Sequence, residues 1–378
     1  MNSKPPSPLT LALTTFQLFA LAIGCHAQET APFCRHRLIA YYPDYDAHRR
    51  PIDTIRYNRL THLVYFSLAP NANGSLDTSQ IDLQRQSLLV QTAHEYNVQV
   101  IICVGGWGLC QHFPAVAANL TARAAFIDNL HHYALEHNFD GVDLDWEPVT
   151  SSTDRDNYTT LLTELHTLLA PDQLSLSVAV AALGSEFNAP AIPCLDWVGV
   201  MAYDMGNPHA AYNDALAALD HWQSRGVPPK KLILGVPFYG RNDEGSYLPY
   251  RDIVATYHPA PDLDEIAGYN FNGIDTVKRK TKYILNNNYA GLMFWELTLD
   301  NQYPSSLLAA AANTCYRLAP PDLNCDDLID PADLALFANH WLQGPCSPEN
   351  AWCHACDRDL SGLVNLADLA QLCNDWLK

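Results

Sequence analysis

The chain has 378 residues, of which 48% are hydrophobic and 17% charged, and it carries a formal net charge of −19. This composition supplies core for one large domain and a small one, and excludes a disordered polypeptide. The acidic balance excludes nucleic acid, anionic membranes and strongly acidic substrates as natural partners.

Residues 1–27 read as a signal peptide: Lys4 starts it, an apolar run from Leu9 to Ile23 follows, and Ala27 precedes the expected cut. An apolar run of about 15 residues is short for a membrane span. A bacterial lipobox, Ala22-Ile23-Gly24-Cys25, is the rival reading; it makes Cys25 a lipid carrier, although lipoboxes usually begin with Leu. Either reading predicts a secreted or cell-surface protein. Eleven cysteines in an exported chain point to disulfides. Cys34 and Cys315 stand at the two ends of the large domain, placed to clip them together, whereas Cys103 reads as a buried free thiol.

Strand patterns follow at Leu38–Tyr42, His62–Leu68, Val98–Val104, Gly141–Glu147, Leu174–Ala182, Trp197–Tyr203, Leu232–Tyr239 and Gly291–Glu296. Amphipathic helices such as Ile81–Tyr96, Ala122–His137 and Tyr158–Leu169 separate most of them. Eight β units alternating with α units predict a TIM (β/α)8 barrel, assigned to residues 28–318. A doubly wound sheet is the runner-up, but no glycine-rich dinucleotide fingerprint follows the first strand. The strand ends are rich in polar and aromatic residues, including Tyr41, Trp107, Tyr203, Asp204, Tyr239, Arg241 and Trp295. Active sites of barrels lie at that face, and aromatic rings there suit stacking on sugars.

Asp143, Asp145 and Glu147 alternate with Val142, Leu144 and Trp146, so the three acids share the inner face of one strand. Asp140 has the opposite parity and is assigned to the strand entry. Carboxylates this close cannot all ionise; at least one keeps a proton, which suits a general acid. A divalent metal is the other reading, needing further ligands for which only Asp204 and Glu296 are obvious.

The segment Asp140-Gly-Val-Asp143-Leu-Asp145-Trp-Glu147 resembles the DxxDxDxE signature of family 18 glycoside hydrolases, the chitinases and their relatives. Tyr41-Tyr42, Gly105-Gly106-Trp107, Met201-Ala-Tyr203-Asp204, Gly235-Val-Pro-Phe-Tyr239-Gly-Arg241 and Met293-Phe-Trp295-Glu296 agree in order, from residue 37 to about 316. The resemblance implies substrate-assisted retaining hydrolysis of N-acetylglucosamine linkages in chitin or its oligosaccharides, without a catalytic cofactor. In that scheme Glu147 is the general acid and Asp145 orients the attacking acetamido group. Asp143 holds Asp145, Tyr203 bonds the acetamido oxygen, and Trp295 floors the site. Tyr41, Trp107, Asp204, Tyr239 and Arg241 are further substrate-side placements. One departure is Cys103, where the family usually has a serine bonded to the acid row; a thiol is a weaker partner. Between the seventh and eighth strands only Asn242–Ala290 remain, partly used by a helix at Val277–Leu285, which predicts an open cleft and endo-type cutting. An endo-β-N-acetylglucosaminidase acting on N-glycans and a catalytically dead, chitin-binding lectin are the alternatives.

Residues 319–378 form a separate acidic module with ten acids against Arg358 and Lys378, a charge of −8. It repeats with a period of 35: Asp322, Asn324, Asp326, Asp330 and Asp333 correspond to Asp357, Asp359, Ser361, Asn365 and Asp368. Oxygen-bearing residues at loop positions 1, 3, 5, 9 and 12 are those that wrap Ca²⁺, and such clustered charge repels itself without a cation. The module resembles the dockerin family, a small all-α pair of EF-hand-like loops, which implies two structural Ca²⁺ sites and a cohesin-type scaffold as partner. Asp327 at the usual glycine, Pro331-Ala332 and Leu366-Ala367 depart from that pattern. Cys353-His354-Ala355-Cys356 could be half a zinc site, but the exported setting favours disulfides.

Overall fold

The computed structural model describes residues 36–302, 304–318, 322–323, 329–347 and 350–374. The signal-peptide and lipobox readings, Cys34, Asn324 and Asp326 fall outside them. The chain divides into two compact units, one of them His36–Cys315 and the other running from Tyr316 onward.

Eight parallel strands build the first unit: β1 (Arg37–Pro43), β2 (His62–Pro70), β3 (Gln99–Gly105), β4 (Gly141–Asp145), β5 (Ser175–Ala181), β6 (Trp197–Met201), β7 (Leu232–Pro237) and β8 (Gly291–Trp295). Each pairs with the next, and β1 pairs with both β2 and β8, so the sheet closes into a barrel and the open doubly wound alternative is excluded. The strands are buried along almost their whole length, which is why they read as continuous apolar runs. The barrel is filled by Ile39, Tyr41, Val64, Phe66, Ile101, Cys103, Trp197, Ile233 and Met293, among others.

Helices Leu83–Glu95, Leu120–Glu136 and Ser152–Leu169 start where Asp82, Asn119 and Ser151 accept backbone N–H bonds at their N-caps. Two crossovers lack an α-helix. The β1–β2 and β5–β6 connections are made of short 3-10 turns, and in the second, Ala189–Cys194, Pro190 and Pro193 forbid a regular helix.

Several strands stop earlier than their sequence pattern. β4 ends at Asp145, where Pro148 shortly offers no N–H for a continued ladder. Tyr239–Arg241 leaves β7 to join Tyr247–Pro249, Tyr269–Asn270 and Glu265–Ile266 in a separate antiparallel sheet. That sheet and helix Tyr250–Tyr257 add a small lobe to a segment for which the sequence pattern gave one helix. Strands of two or three residues carry no readable period.

In the second unit, helices Pro331–Asn339 and Leu366–Asn374 lie 35 positions apart at both ends. Their hydrogen bonds repeat at the same offset. Leu323 N–H donates to Asp333 as Arg358 N–H does to Asp368, and Asp330 and Asn365 each cap their own helix. A disulfide joins Cys346 to Cys353, inside a small core with Phe337, Val364 and Leu372. Cys353 is thereby removed from any zinc site, while Cys356 remains a buried thiol. Cys315 is also a free buried thiol, and Cys34, its expected partner, lies outside the described residues.

Candidate active site

The acid row starts deep in the barrel. Asp143 is fully buried and lies in register with Cys103 on β3 and Ser177 on β5. It accepts hydrogen bonds from Ser177 Oγ at 2.5 Å and Tyr41 OH at 2.8 Å, and the Cys103 thiol lies against it as a third donor. Burial raises its pKa, while these three donors pull it back toward the charged form.

One step further along, Asp145 is 3% exposed and hydrogen-bonded to Glu147, with its Oδ1 buried and unpartnered. Burial, then the charges of Glu147 and Asp143, push its pKa well up. Glu147 stands half-buried at the cleft, and burial raises its pKa also. Their mutual bond raises the pKa of Asp145 and lowers that of Glu147, so the pair is arranged to share a proton, while Oδ1 of Asp145 has no hydrogen-bond partner. A raised carboxyl pKa suits Glu147 to proton donation, and Asp145 can turn without breaking a bond at Oδ1.

The outward residues of the same segment build the wall. Trp146 stacks on Phe113 at 5.2 Å and meets Tyr158 edge-on at 5.1 Å. Asp140 accepts the Val100 N–H at 2.6 Å and contacts His94 at 2.8 Å, tying the entry of β4 to β3.

The row opens into a cleft of about 880 Å³ lined by Tyr41, Trp107, Asp145, Glu147, Tyr203, Asp204, Tyr239, Arg241 and Trp295. All nine were chosen from sequence; Asp143 alone of the acid row lies beneath the lining, where it contacts no solvent. Trp295 packs against Tyr41 at 5.5 Å and Phe66 at 4.8 Å, making an aromatic floor. Trp107 projects from the rim and is 81% exposed. Arg241 forms a two-pronged ion pair with Asp204. Burial alone would raise the pKa of Asp204, but hydrogen bonds from His209 and Arg241 hold it to about 2. Glu296 accepts the Thr298 N–H and hydroxyl through its two oxygens, and Asp204 is paired with Arg241.

Sequence reasoning missed Ser177, Cys110 and His209, and the cleft residues Tyr45, Asp46, Phe66 and Tyr247. A serine in an apolar strand has no signature of its own. Its importance comes from the β4–β5 register, which only the fold supplies.

In the second unit, Asp357, Asp359 and Asp368 place one carboxylate oxygen each within 4.8 Å of one another. Ser361 Oγ lies 3.5 Å from Asp357, whereas the Asn365 side chain caps the following helix. In the first repeat Asp333 is buried and accepts from the backbone, Asp330 caps its helix, and Asp322 is buried.

The sequence profile of the family "Glycosyl hydrolases family 18" matches residues 37–300. Endochitinase 1 of Metarhizium robertsii is 26% identical over 63% of this chain and 69% of its own length. Chitinase A1 of Niallia circulans is 29% identical over 60% of this chain and 44% of its own. A "chitinase-like effector" of Moniliophthora roreri is 28% identical over 53% of this chain and 57% of its own. The chain thus spans 44% to 69% of the length of these relatives. Among solved structures, the family 18 chitinase from the chitin utilization locus of Flavobacterium johnsoniae has a TM-score of 0.66 at 25% identity, covering 74% of this chain and 94% of that one. A mutant class V chitinase of Nicotiana tobaccum in complex with NAG4 shares the fold at a TM-score of 0.67 and 22% identity, covering 74% and 99%. With a closed barrel, the acid row at its mouth and the family profile across it, the chain belongs to the glycosyl hydrolases of family 18.

Proposed function

We propose that the chain is a secreted or cell-surface chitinase that cuts β-1,4-linked N-acetylglucosamine chains internally. One observation carries the reading: Asp143 and Asp145 are buried beneath a half-buried Glu147, the pKa values of all three are raised, and the row opens onto an aromatic floor at Trp295. A binding protein has no use for a protonated acid at that position.

Glu147 protonates the glycosidic oxygen of the bound sugar. The sugar's own acetamido oxygen attacks the anomeric carbon, so the leaving group departs with the proton and a cyclic oxazolinium forms. Asp145 turns its unpartnered oxygen toward the acetamido nitrogen and stabilises the positive charge that develops there. Glu147, now ionised, takes a proton from water as that water opens the ring with retention. Tyr203 bonds the acetamido oxygen and Trp295 packs the sugar face. The endo-acting reading rests on the shortness of the segment between β7 and β8, although its small lobe lends Tyr239, Arg241 and Tyr247 to the cleft lining.

The C-terminal module is read as dockerin-like. Asp357, Asp359, Ser361 and Asp368 in one repeat, and Asp322, Asn324, Asp326 and Asp333 in the other, would hold one Ca²⁺ each, with Asn365 and Asp330 as outer contributors. The convergence of Asp357, Asp359 and Asp368 oxygens supports this for the second repeat. Bound calcium would neutralise the carboxylates and tie the loop to its helix, leaving the module to dock on a cohesin-type scaffold.

Product analysis on chitin beside a high-mannose glycopeptide, with wild type and Glu147→Gln, tests the catalytic reading. Internal cutting of chitin by wild type alone is expected. Cleavage of the glycopeptide only would establish the N-glycan alternative, and binding without cleavage by both proteins would establish the lectin.

A further inference from the structure

The loop after β3 is pressed onto the end of β4 by two glycines. Gly105 and Gly106 have φ of +103° and +96°, where side-chain-bearing residues are strained. A Cβ on Gly105 would stand 2.3 Å from the Asp145 carbonyl oxygen, and the Gly106 N–H donates to that oxygen at 2.7 Å. Cys110 closes the arrangement. Its buried sulfur lies 3.0 Å from the Asp145 carbonyl oxygen and 3.2 Å from that of Gly106, and it accepts the Glu147 N–H at 3.2 Å. The single S–H donates to one carbonyl, which leaves sulfur lone pairs for the amide.

Glu147 lies beyond the last ladder residue of β4, so the sheet does not fix its backbone. We propose that Cys110 is a positioning residue for the general acid: its thiol anchors the Glu147 amide and thereby sets the reach of the Glu147 carboxyl into the cleft. This rests on the hydrolase reading above. Without the sulfur, a partly buried N–H loses its acceptor and the segment Asp145–Glu147 loses one of its ties to the β3 loop. The carboxyl then relaxes toward water, its burial lessens, and its hold on a proton weakens. Serine separates anchoring from space-filling, because it keeps an acceptor for the Glu147 N–H while occupying less volume.

The test compares full-length wild type, Cys110→Ala and Cys110→Ser on a chromogenic N-acetylglucosamine oligosaccharide across pH. It also measures hydrogen exchange of the Glu147 amide by NMR. For Cys110→Ala, kcat should fall about tenfold with KM nearly unchanged, and the basic limb of kcat should move to lower pH. Serine, which also accepts and donates, should restore most of the rate and the limb. The Glu147 amide should exchange about tenfold faster in Cys110→Ala, while Val142 and Leu144 stay protected. Unaltered kcat, limb and exchange in Cys110→Ala would overturn the proposal. So would a loss of melting temperature and rate together that Cys110→Ser fails to rescue. If wild type itself does not hydrolyse, the hydrolase reading falls, and the exchange of the Glu147 amide alone decides whether Cys110 anchors it.

Discussion

Two clusters of acids in this chain are equally hidden and differently answered. In the barrel, Asp143 and Asp145 are at most 3% exposed, and in the C-terminal unit Asp357 and Asp368 are fully buried. Asp143 is met by side-chain hydroxyls and a thiol, and Asp145 by another carboxyl. Asp368 instead accepts three backbone N–H groups, from Arg358, Asp359 and Asn365, and Asp357 accepts two, from Ser361 and Gly362. Backbone donors cannot take up a proton in exchange, whereas a carboxyl partner can share one; Asp357 meets the Asp359 carboxyl as well as its backbone donors, and burial raises its pKa. Similar burial thus favours a shared proton in both places, but only in the C-terminal unit do three carboxylate oxygens and a frame of backbone donors converge where a cation could take the proton's place.

The sharpest break of that comparison is Glu147→Gln. It should reduce turnover of chitin oligosaccharides by about 10²- to 10⁴-fold while oligosaccharide binding persists, as followed by tryptophan fluorescence. Retained turnover would remove the proton-store reading of the barrel row. For the other cluster, millimolar Ca²⁺ should raise the melting transition of the C-terminal unit in the full chain by the equivalent of about 2.7 kcal/mol at a hundredfold excess over Kd. The barrel transition should stay in place, and Asp368→Ala should lose most of the response. A calcium response centred on the barrel instead would reverse the assignment.

Next in size is Ser177→Ala, which removes the shortest hydrogen bond to Asp143. A bond to a buried charged group is worth about 1.5–3 kcal/mol, so kcat should fall between about tenfold and a hundredfold. A change within twofold would mean that Tyr41 and Cys103 hold the residue without it.

The acid row was legible because a strand has a period of two, and three acids at that period can be explained only by chemistry. The duplication was legible too, since Asp357 follows Asp322 by the same 35 residues that separate helices Pro331–Asn339 and Leu366–Asn374. Ser177 and Cys110 were not, because both act across strands or loops, and their residue types are common in barrel interiors. The Cys346–Cys353 pairing was equally hidden, since spacing leaves many pairings open. Tyr45 and Tyr247 reach the cleft from a 3-10 turn and a three-residue strand, elements too short to announce themselves.

The pH dependence of the barrel follows from the raised carboxyls. Asp145 and Glu147 keep protons in the folded protein at pH values where the unfolded chain has released them. Stability therefore declines as pH rises from the ordinary carboxylate value, ~4, through the raised folded values, and the difference is absent below that window. Asp145→Asn should flatten this slope in denaturant unfolding measured between pH 4 and 8; an unaltered slope would assign it to other groups.

The smallest expected effect belongs to Cys103→Ser. A hydroxyl is the better donor, so this change should favour ionised Asp143 and move the acid limb of kcat to lower pH. Because Ser177 and Tyr41 already occupy both oxygens of Asp143, the third donor adds to a carboxylate that is largely satisfied. The rate should change by less than about threefold, well under the loss from Ser177→Ala. A larger gain would show that the thiol, not the row around it, limits catalysis, and would make the β3 position rather than β5 the principal support of the proton store.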